Sequence, residues 1–144
     1  MPFWTRLTKR RTDMARIDKP YKVYISLPIT DKDETKQKAR ALELAQRIRE
    51  KGFVPVNPFD IGADLERECK RRGDKAPGWR EYMREDIYEL LACDGILMDV
   101  DAKSSYGCSI ELSIAQTMAA SQKKRFTIYH TKEQWHDVND KYII

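Results

Sequence analysis

Two carboxylates and a phenol stand at positions where they could act on one substrate. Glu111 lies in the first turn of a predicted helix, Asp86 lies beside the apolar stripe of the helix before it, and Tyr24 lies in the first predicted strand. Retaining glycosyl transfer, whose transition state resembles an oxocarbenium ion, uses a carboxylate nucleophile and a second carboxylate that holds a proton. A phenol beside them could orient one of the two. These residues therefore indicate cleavage of a glycosidic bond.

Each of the three residues also has a structural explanation. The alternative for Glu111 is a surface glutamate, favoured by the positive end of the helix dipole. The alternative for Asp86 is an ion pair with Arg80 or Arg84, because a buried carboxylate must be paired or hydrogen-bonded, or its pKa rises. Tyr24 could simply belong to the core, as most aromatic residues in strands do.

The segment Ser104-Ser105-Tyr106-Gly107 precedes a predicted helix and has the composition of an anion site. Two hydroxyls, free backbone N–H groups and a glycine that allows close approach meet at the positive end of the helix dipole. Ordinary helix capping is the alternative. The sequence has no Walker A loop and no G-x-G-x-x-G motif, so it does not indicate binding of a triphosphate or of a dinucleotide.

The elements that position these residues begin with a strand and a helix. Tyr21–Ile29 is rich in β-branched and aromatic residues and predicts the first strand. Asp31 and Glu34 have the spacing of a capping box, which would open a helix that ends at Lys51 before Gly52. The apolar residues of this helix recur at helical spacing: Ala41, Leu44, Ala45 and Ile48.

The later predicted elements continue the alternation of strand and helix. They are a strand at 53–57, a loop-like stretch at 58–78 with one short helix from Asp64 to Arg72, a helix at 79–92, a strand at 95–100, a helix at 108–121 with the stripe Ile110, Ile114 and Met118, and a strand at 125–129. This order predicts βαβ crossovers and an α/β fold with a parallel sheet and helices on both faces. Because ligands bind at the carboxyl ends of such strands, we expect functional residues at about 26–30 and 101–107.

The positive charge of the chain is concentrated at its N-terminus. The 144 residues include 27 Lys and Arg against 23 Asp and Glu. Residues 1–19 hold six cations and two carboxylates, so the other 125 residues are neutral overall. We therefore expect a basic arm at 1–19 and a single domain at 20–144 without the basic surface that marks nucleic-acid binding.

Several other protein classes are excluded by composition. No apolar run is long enough to span a membrane and no secretory signal is recognisable, so a cytoplasmic protein is expected. Three cysteines without a C-x-x-C pair, Cys69, Cys93 and Cys108, indicate reduced and buried or half-buried thiols. His130 and His136 lack metal-ligand spacing, so no metal and no cofactor is expected.

Five ordered segments resemble the nucleoside 2-deoxyribosyltransferase superfamily, and within it the DUF4406 branch. They cover about residues 22–129 in the chain order of that family. The segments are Tyr24-Ile-Ser-Leu-Pro-Ile29, Val56-Asn57-Pro58, Trp79-x-x-Tyr-Met-Arg-x-Asp86-Ile, Leu90-Leu-x-Cys-Asp94 and Ser105-x-Gly107-x-x-x-Glu111-Leu-x-x-Ala115.

The resemblance implies a flavodoxin-like or Rossmann-like fold and cleavage of the N-glycosidic bond of a (deoxy)nucleoside or its 5′-monophosphate, by hydrolysis or base transfer. By the resemblance, Glu111 is the nucleophile that attacks the anomeric carbon and Asp86 is the carboxylate near the nucleobase. Tyr24 then orients the nucleophile.

The same resemblance implies the substrate contacts. Ser26 and Pro28 of the first loop would bind substrate together with Ser105 and Gly107. Transferases that exchange bases have an acid at the position of Ser105, whereas monophosphate N-glycosidases have serine, so a 5′-monophosphate is expected. The resemblance also implies a homo-oligomer. A non-catalytic nucleotide-binding sensor or accessory module is the alternative, since Leu27 stands where the family often has glycine.

Overall fold

The computed structural model describes residues 19–121, 125–134 and 140–144. Residues 1–18 of the predicted arm, as well as Trp135 and His136, lie outside the described residues. The elements are strands β1 (Lys22–Ser26), β2 (Val54–Val56), β3 (Gly95–Met98) and β4 (Thr127–His130), helices α1 (Glu34–Glu50), α2 (Pro58–Arg72), α3 (Trp79–Leu91) and α4 (Tyr106–Ala120), and short 3-10 turns at Ala102–Ser104 and Asp140–Tyr142.

The four strands form one parallel sheet in the order β2-β1-β3-β4. This confirms the predicted α/β fold with a parallel sheet, and the strand order is consistent with a flavodoxin-like or Rossmann-like architecture. β1 and β3 are neighbours, with Ser26 beside Met98 at their carboxyl ends. The chain leaves β1 towards one edge of the sheet and leaves β3 towards the other. A crevice therefore opens between the loops that follow these two strands.

The two faces of β1 serve different layers. Val23 and Ile25 pack with the buried stripe of α1, as predicted from its spacing. Tyr24, which points to the other face, packs with residues of α3 and α4 such as Leu90 and Cys108. Because successive strand residues alternate between faces, Ser26 lies on the same face as Tyr24. Both hydroxyls therefore point towards the helices that contain Asp86 and Glu111.

Residues 58–78, predicted as mostly loop, contain a helix of 15 residues. The side chain of Asn57 caps its first turn by accepting a hydrogen bond from the Phe59 N–H, and Pro58 occupies the start, where no N–H is needed. Gly62, a residue type that is ordinarily unfavourable inside a helix, lies within α2 against the Tyr82 ring. A Cβ at this position would lie 3.4 Å from Tyr82 Cε1. The prediction was wrong because this glycine serves close packing between α2 and α3.

The predicted start of α1 was also wrong. Asp33, rather than Asp31, caps the helix by accepting a hydrogen bond from the Lys36 N–H at 2.9 Å. Asp31 has a left-handed backbone with φ of 60°, which aspartate tolerates better than most residues. The loop therefore turns sharply at Asp31 before the helix begins.

The stripe predicted for α4 is correct in part. Ile114 and Met118 are half-buried and pack against the core, whereas Ile110 is 38% exposed. The fully buried residues are Cys108, Glu111 and Ala115, so a carboxylate shares the inner face of the helix. Cys93 and Cys108 are buried and Cys69 is half-buried, and none of the three forms a disulfide, as predicted. No helix in the described part of the chain has the length and apolar character needed to cross a membrane.

Candidate active site

A cleft of about 360 Å³ lies at the carboxyl ends of β1 and β3, between their loops and the helices α2, α3 and α4. This is the location that the parallel sheet predicts. Five of the residues singled out in the sequence for catalysis or phosphate binding line it, together with apolar and aromatic side chains. Its lining includes Tyr24, Leu27, Ile29, Phe59, Trp79, Tyr82, Met83, Asp86, Ser105, Gly107, Cys108 and Glu111.

Glu111 is buried at the base of this cleft, with 5% of its surface exposed. The helix begins at Tyr106, so Glu111 lies in the second turn and points inward. Its Oε1 accepts a hydrogen bond from Ser26 Oγ at 2.9 Å. The alternative of a surface glutamate, favoured only by the helix dipole, is therefore wrong. Oε1 is therefore held by a residue of β1.

The surroundings of Glu111 favour a carboxyl group that titrates near neutral pH. Burial raises its pKa to about 7, while hydrogen bonding from Tyr24 and Ser26 partly offsets this by favouring the charged form. Burial, with the nearby charge of Glu111, in turn raises the pKa of Tyr24 well above its ordinary value. Tyr24 is only 1% exposed and lines the cleft, so its phenol remains a neutral donor.

Asp86 is the second carboxyl group in the cleft, and it is 8% exposed. Within the described ranges it makes no hydrogen bond or ion pair through its side chain, so the alternative of a salt bridge to Arg80 or Arg84 is wrong. Burial raises its pKa to about 8, with further increases from the charges of Glu111 and Glu85. At neutral pH the pair therefore favours a protonated Asp86 beside a Glu111 that can ionise first.

Two predicted substrate contacts lie elsewhere. Ser26 is fully buried and does not line the cleft, because its hydroxyl is occupied by Glu111. Pro28 is also buried, and its carbonyl accepts a hydrogen bond from Gln37 Nε2 at 2.5 Å. Pro28 lines a neighbouring groove rather than the cleft. The structure therefore assigns Ser26 to the support of Glu111 and Pro28 to the shape of the loop.

Ser105 and Gly107 form the end of the cleft at the start of α4. Ser105 Oγ caps the helix by accepting a hydrogen bond from the Cys108 N–H at 3.4 Å. The capping alternative is thus present, but a hydroxyl that accepts still has a proton to donate. A Cβ at Gly107 would lie 3.2 Å from Met83 Sδ, so the glycine allows close contact with α3. First-turn N–H groups lack carbonyl partners within a helix and favour anions.

The sequence did not predict the aromatic and apolar wall of the cleft. Phe59 and Gly62 come from α2, which was predicted as loop, and Tyr82 was not singled out as a cleft residue. The Asn57-Pro58 pair was the signal that could have revealed this wall, because it is a cap followed by proline at the first helical position. At the rim, Lys38 forms an ion pair with Glu34 at 2.8 Å.

The chemical groups of the cleft indicate the kind of ligand that it suits. Among the residues that the structure describes, no group of three or more His, Cys, Asp or Glu side chains could hold a metal ion. The groups that line the cleft include two buried carboxyl groups with raised pKa values, a phenol, a capping hydroxyl, aromatic rings and the charged side chains of Lys32, Lys38, Glu34 and Glu66. They suit the binding of a flat, partly apolar ligand with an anionic end.

Comparison with known proteins gives one family match. Residues 21–122 match the family described as "Domain of unknown function (DUF4406)". This range includes β1, β2, β3 and all four helices, and therefore every residue of the cleft. No curated protein matches the chain.

Proposed function

The chain belongs to the DUF4406 family, a domain of unknown function, and we propose that it cleaves the N-glycosidic bond of a (deoxy)nucleoside or its 5′-monophosphate. The observation behind the proposal is the pairing of Glu111 and Asp86 in one cleft. Both are buried and lack a cationic partner among the described residues, and the pKa of each is raised towards neutrality. Resemblance of the surrounding segments to the nucleoside 2-deoxyribosyltransferase superfamily supports the same chemistry.

The chemistry uses the two carboxyl groups in different protonation states. Ionised Glu111 attacks C1′ and forms a glycosyl ester, while the bond from C1′ to the base nitrogen breaks and Asp86 donates its proton to the departing base. Asp86, now a carboxylate, accepts a proton from water as the water attacks C1′. The ester bond breaks and both groups return to their starting states. A second base in place of water gives base transfer.

The cleft provides complementary environments for the two ends of such a substrate. Aromatic side chains on the wall, including Phe59 and Tyr82, suit a nucleobase, which stacks favourably on aromatic rings. The N-terminal turn of α4, with the Ser105 hydroxyl, suits a 5′-phosphate. A carboxylate at position 105 would repel that phosphate. Tyr24 and Ser26 keep Glu111 aligned between these two ends.

The experiment is the release of free base from a panel of (deoxy)nucleosides and their 5′-monophosphates, separated by liquid chromatography. We expect Glu111→Gln to lower release by about 10³-fold or more, since it removes the nucleophile. Glu89→Gln on α3 is the matched control, because Glu89 does not line the cleft. Base release by Glu111→Gln at the wild-type rate would overturn the proposal.

A second candidate function is nucleotide binding without turnover. Leu27, 3% exposed, lines the cleft where the resembling family often has glycine, and this bulk favours a sensor or accessory module. In that case nucleotides raise the melting temperature while no base is released even after long incubation. The same panel therefore separates the two functions.

The proposal includes self-association. Glu111 is the only charged residue of α4 and it is buried, so the outer face of this helix presents uncharged side chains such as Ile110, Ser113 and Thr117. In a chain with 35% charged residues, an uncharged exposed helix face favours contact with a second copy. Size-exclusion chromatography with light scattering measures the state directly, and a monomer at micromolar concentration would contradict it.

A further inference from the structure

The cleft does not end at the start of α4. A second depression of about 540 Å³, here called the distal groove, adjoins it. The two share five lining residues, which lie in the loop after β1, at the start of α3 and at the start of α4: Thr30, Lys32, Trp79, Ser105 and Gly107. A substrate whose 5′-phosphate lay at Ser105 would therefore have open, continuous space beyond the phosphate.

The distal groove has aromatic side chains on its walls. Trp79, 47% exposed, borders both the cleft and the groove, whereas Tyr106, 87% exposed, borders only the groove. Aromatic side chains left this accessible are the usual platforms on which nucleobases stack. The hydroxyls of Thr30 and Ser104 add hydrogen-bonding groups without adding charge. The groove thus has the chemistry of a second nucleoside site.

The charges at the junction favour a phosphodiester over a terminal phosphate. Lys32 is the lysine that lines both depressions, and it is accompanied by Glu34 on the cleft side and Asp31 on the groove side. A terminal phosphate has a charge close to −2 at neutral pH, whereas a phosphodiester has a charge of −1. Because Glu34 is paired with Lys38 at 2.8 Å, Lys32 is the cation at the junction, and one cation matches the smaller charge. The absence of a glycine-rich pyrophosphate motif also favours a single phosphate link.

We propose that the site binds a phosphodiester-linked dinucleoside. The reacting nucleoside occupies the cleft, its 5′-phosphate lies at Ser105 and Lys32, and the preceding nucleoside occupies the distal groove with its base against Tyr106. This inference rests on the proposed function and names a substrate class for it. The bond that breaks is still the N-glycosidic bond of the nucleoside in the cleft, so the phosphodiester remains intact.

Binding measurements test the inference separately from cleavage. In the Glu111→Gln background, calorimetry compares the four dinucleoside monophosphates d(ApA), d(CpC), d(GpG) and d(TpT) with the matching 5′-monophosphates. We expect at least one dinucleoside to bind about fivefold or more tightly than its monophosphate. Tyr106→Ala should abolish this preference, and Tyr106→Phe should retain it because the ring remains.

Tyr88→Ala provides the matched control, since Tyr88 is an equally accessible tyrosine, 70% exposed, that borders neither depression. Equal affinity for both ligand types, or equal losses in Tyr106→Ala and Tyr88→Ala, would overturn the inference. A Tyr106→Ala protein that changes from dimer to monomer would also overturn it, by assigning the groove to a contact between copies. Tight dinucleoside binding by a wild-type enzyme that releases no base supports the groove and overturns only the proposed cleavage.

Discussion

Three buried carboxyl groups lie around the carboxyl end of the sheet, and they differ in whether they form an ion pair. Asp99, directly after β3, accepts three hydrogen bonds from Arg40 of α1, from Nη2 to Oδ1 at 2.8 Å and from Nε to Oδ2 at 3.0 Å and to Oδ1 at 3.3 Å. Its Oδ1 also accepts the Val100 N–H at 2.7 Å. Asp86 and Glu111, on the opposite face of the sheet, form no ion pair within the described segments.

The difference separates a structural carboxylate from reactive ones. The Asp99 contact raises the pKa of Arg40 and fixes α1 to the loop after β3, with Arg40 also bonded to Glu43 at 3.0 Å. Asp86 and Glu111 are buried without an ion pair, and burial favours the protonated form of a carboxyl group. The same end of the sheet therefore holds one carboxylate that binds an arginine and two carboxyl groups that can exchange protons.

The largest expected effect comes from Asp86→Asn. Loss of the proton donor should lower base release by about 10³-fold, within the range of general acid catalysis. The free energy of unfolding should change by less than about 1 kcal/mol, because asparagine resembles the neutral form that a raised pKa favours. Steady-state kinetics and thermal unfolding of the same preparation measure both quantities.

Asp99→Asn is the matched substitution on the other face. It leaves Arg40 with only the more exposed carboxylates of Glu43 and Glu133, and should lower the free energy of unfolding by about 2 kcal/mol, less than for a fully buried pair because Arg40 is 21% exposed. The Asp99→Asn protein that is folded should keep most of the wild-type rate of base release. If Asp86→Asn destabilised the fold more than Asp99→Asn did, the division into reactive and structural carboxylates would be wrong.

A second effect is the opposite pH dependence of stability in the two regions. The raised pKa values of Glu111 and Asp86, about 7 and 8, lie above the unfolded values near 4, so the stability that they contribute below that pH is lost as the pH rises through 7 and 8. In the region of Asp99, Glu133 forms ion pairs with Arg40 and Arg47 of α1. Hydrogen bonding from Arg47 lowers the pKa of Glu133 to about 2. Its contribution is present above pH 4 and lost as the pH falls towards 2.

The melting temperature should therefore be highest near pH 4 to 5 and fall on both sides. A double variant with Glu111→Gln and Asp86→Asn should flatten the neutral side and leave the acid side unchanged. Differential scanning calorimetry across pH 2 to 9 measures the curve. A melting temperature that rises from pH 5 to pH 8 would exclude raised carboxyl pKa values in the cleft.

The two regions also differ in how far the sequence predicts them. Tyr24 follows from the strand pattern, and the helical spacing of Asp86 places it beside an apolar stripe, so local periodicity brings both to the cleft. The burial of Glu111 could not be predicted in this way, because the apolar spacing in α4 placed Ile110 and Ile114 on the inner face, and of these two only Ile114 packs against the core. Only packing of α4 against β1, 85 residues away at Ser26, decides which face turns inward.

Long-range pairs explain the other failures. The Arg40–Asp99 pair spans 59 residues and has no local signature. The α2 wall depends on Gly62 fitting against Tyr82, and a glycine inside a helix is ordinarily unfavourable. Sequence periodicity therefore predicts elements with a regular apolar face. It fails where a tertiary contact makes a polar or glycine residue the correct choice.

The smallest expected effect concerns Ser26, whose hydroxyl donates a hydrogen bond to Glu111, whereas Asp99 accepts its hydrogen bonds from an arginine. Ser26→Ala removes a hydrogen bond that favours the ionised form, so the pKa of Glu111 should rise further. The acid limb of the rate profile should move up by about one pH unit, and the rate at pH 7 should fall by about fivefold because the ionised fraction of Glu111 falls. Ser121→Ala, at an exposed serine directly after α4, is the control. A lower rate with an unmoved pH profile would assign Ser26 to packing alone, because only a donor to Glu111 can shift the pH at which the nucleophile ionises.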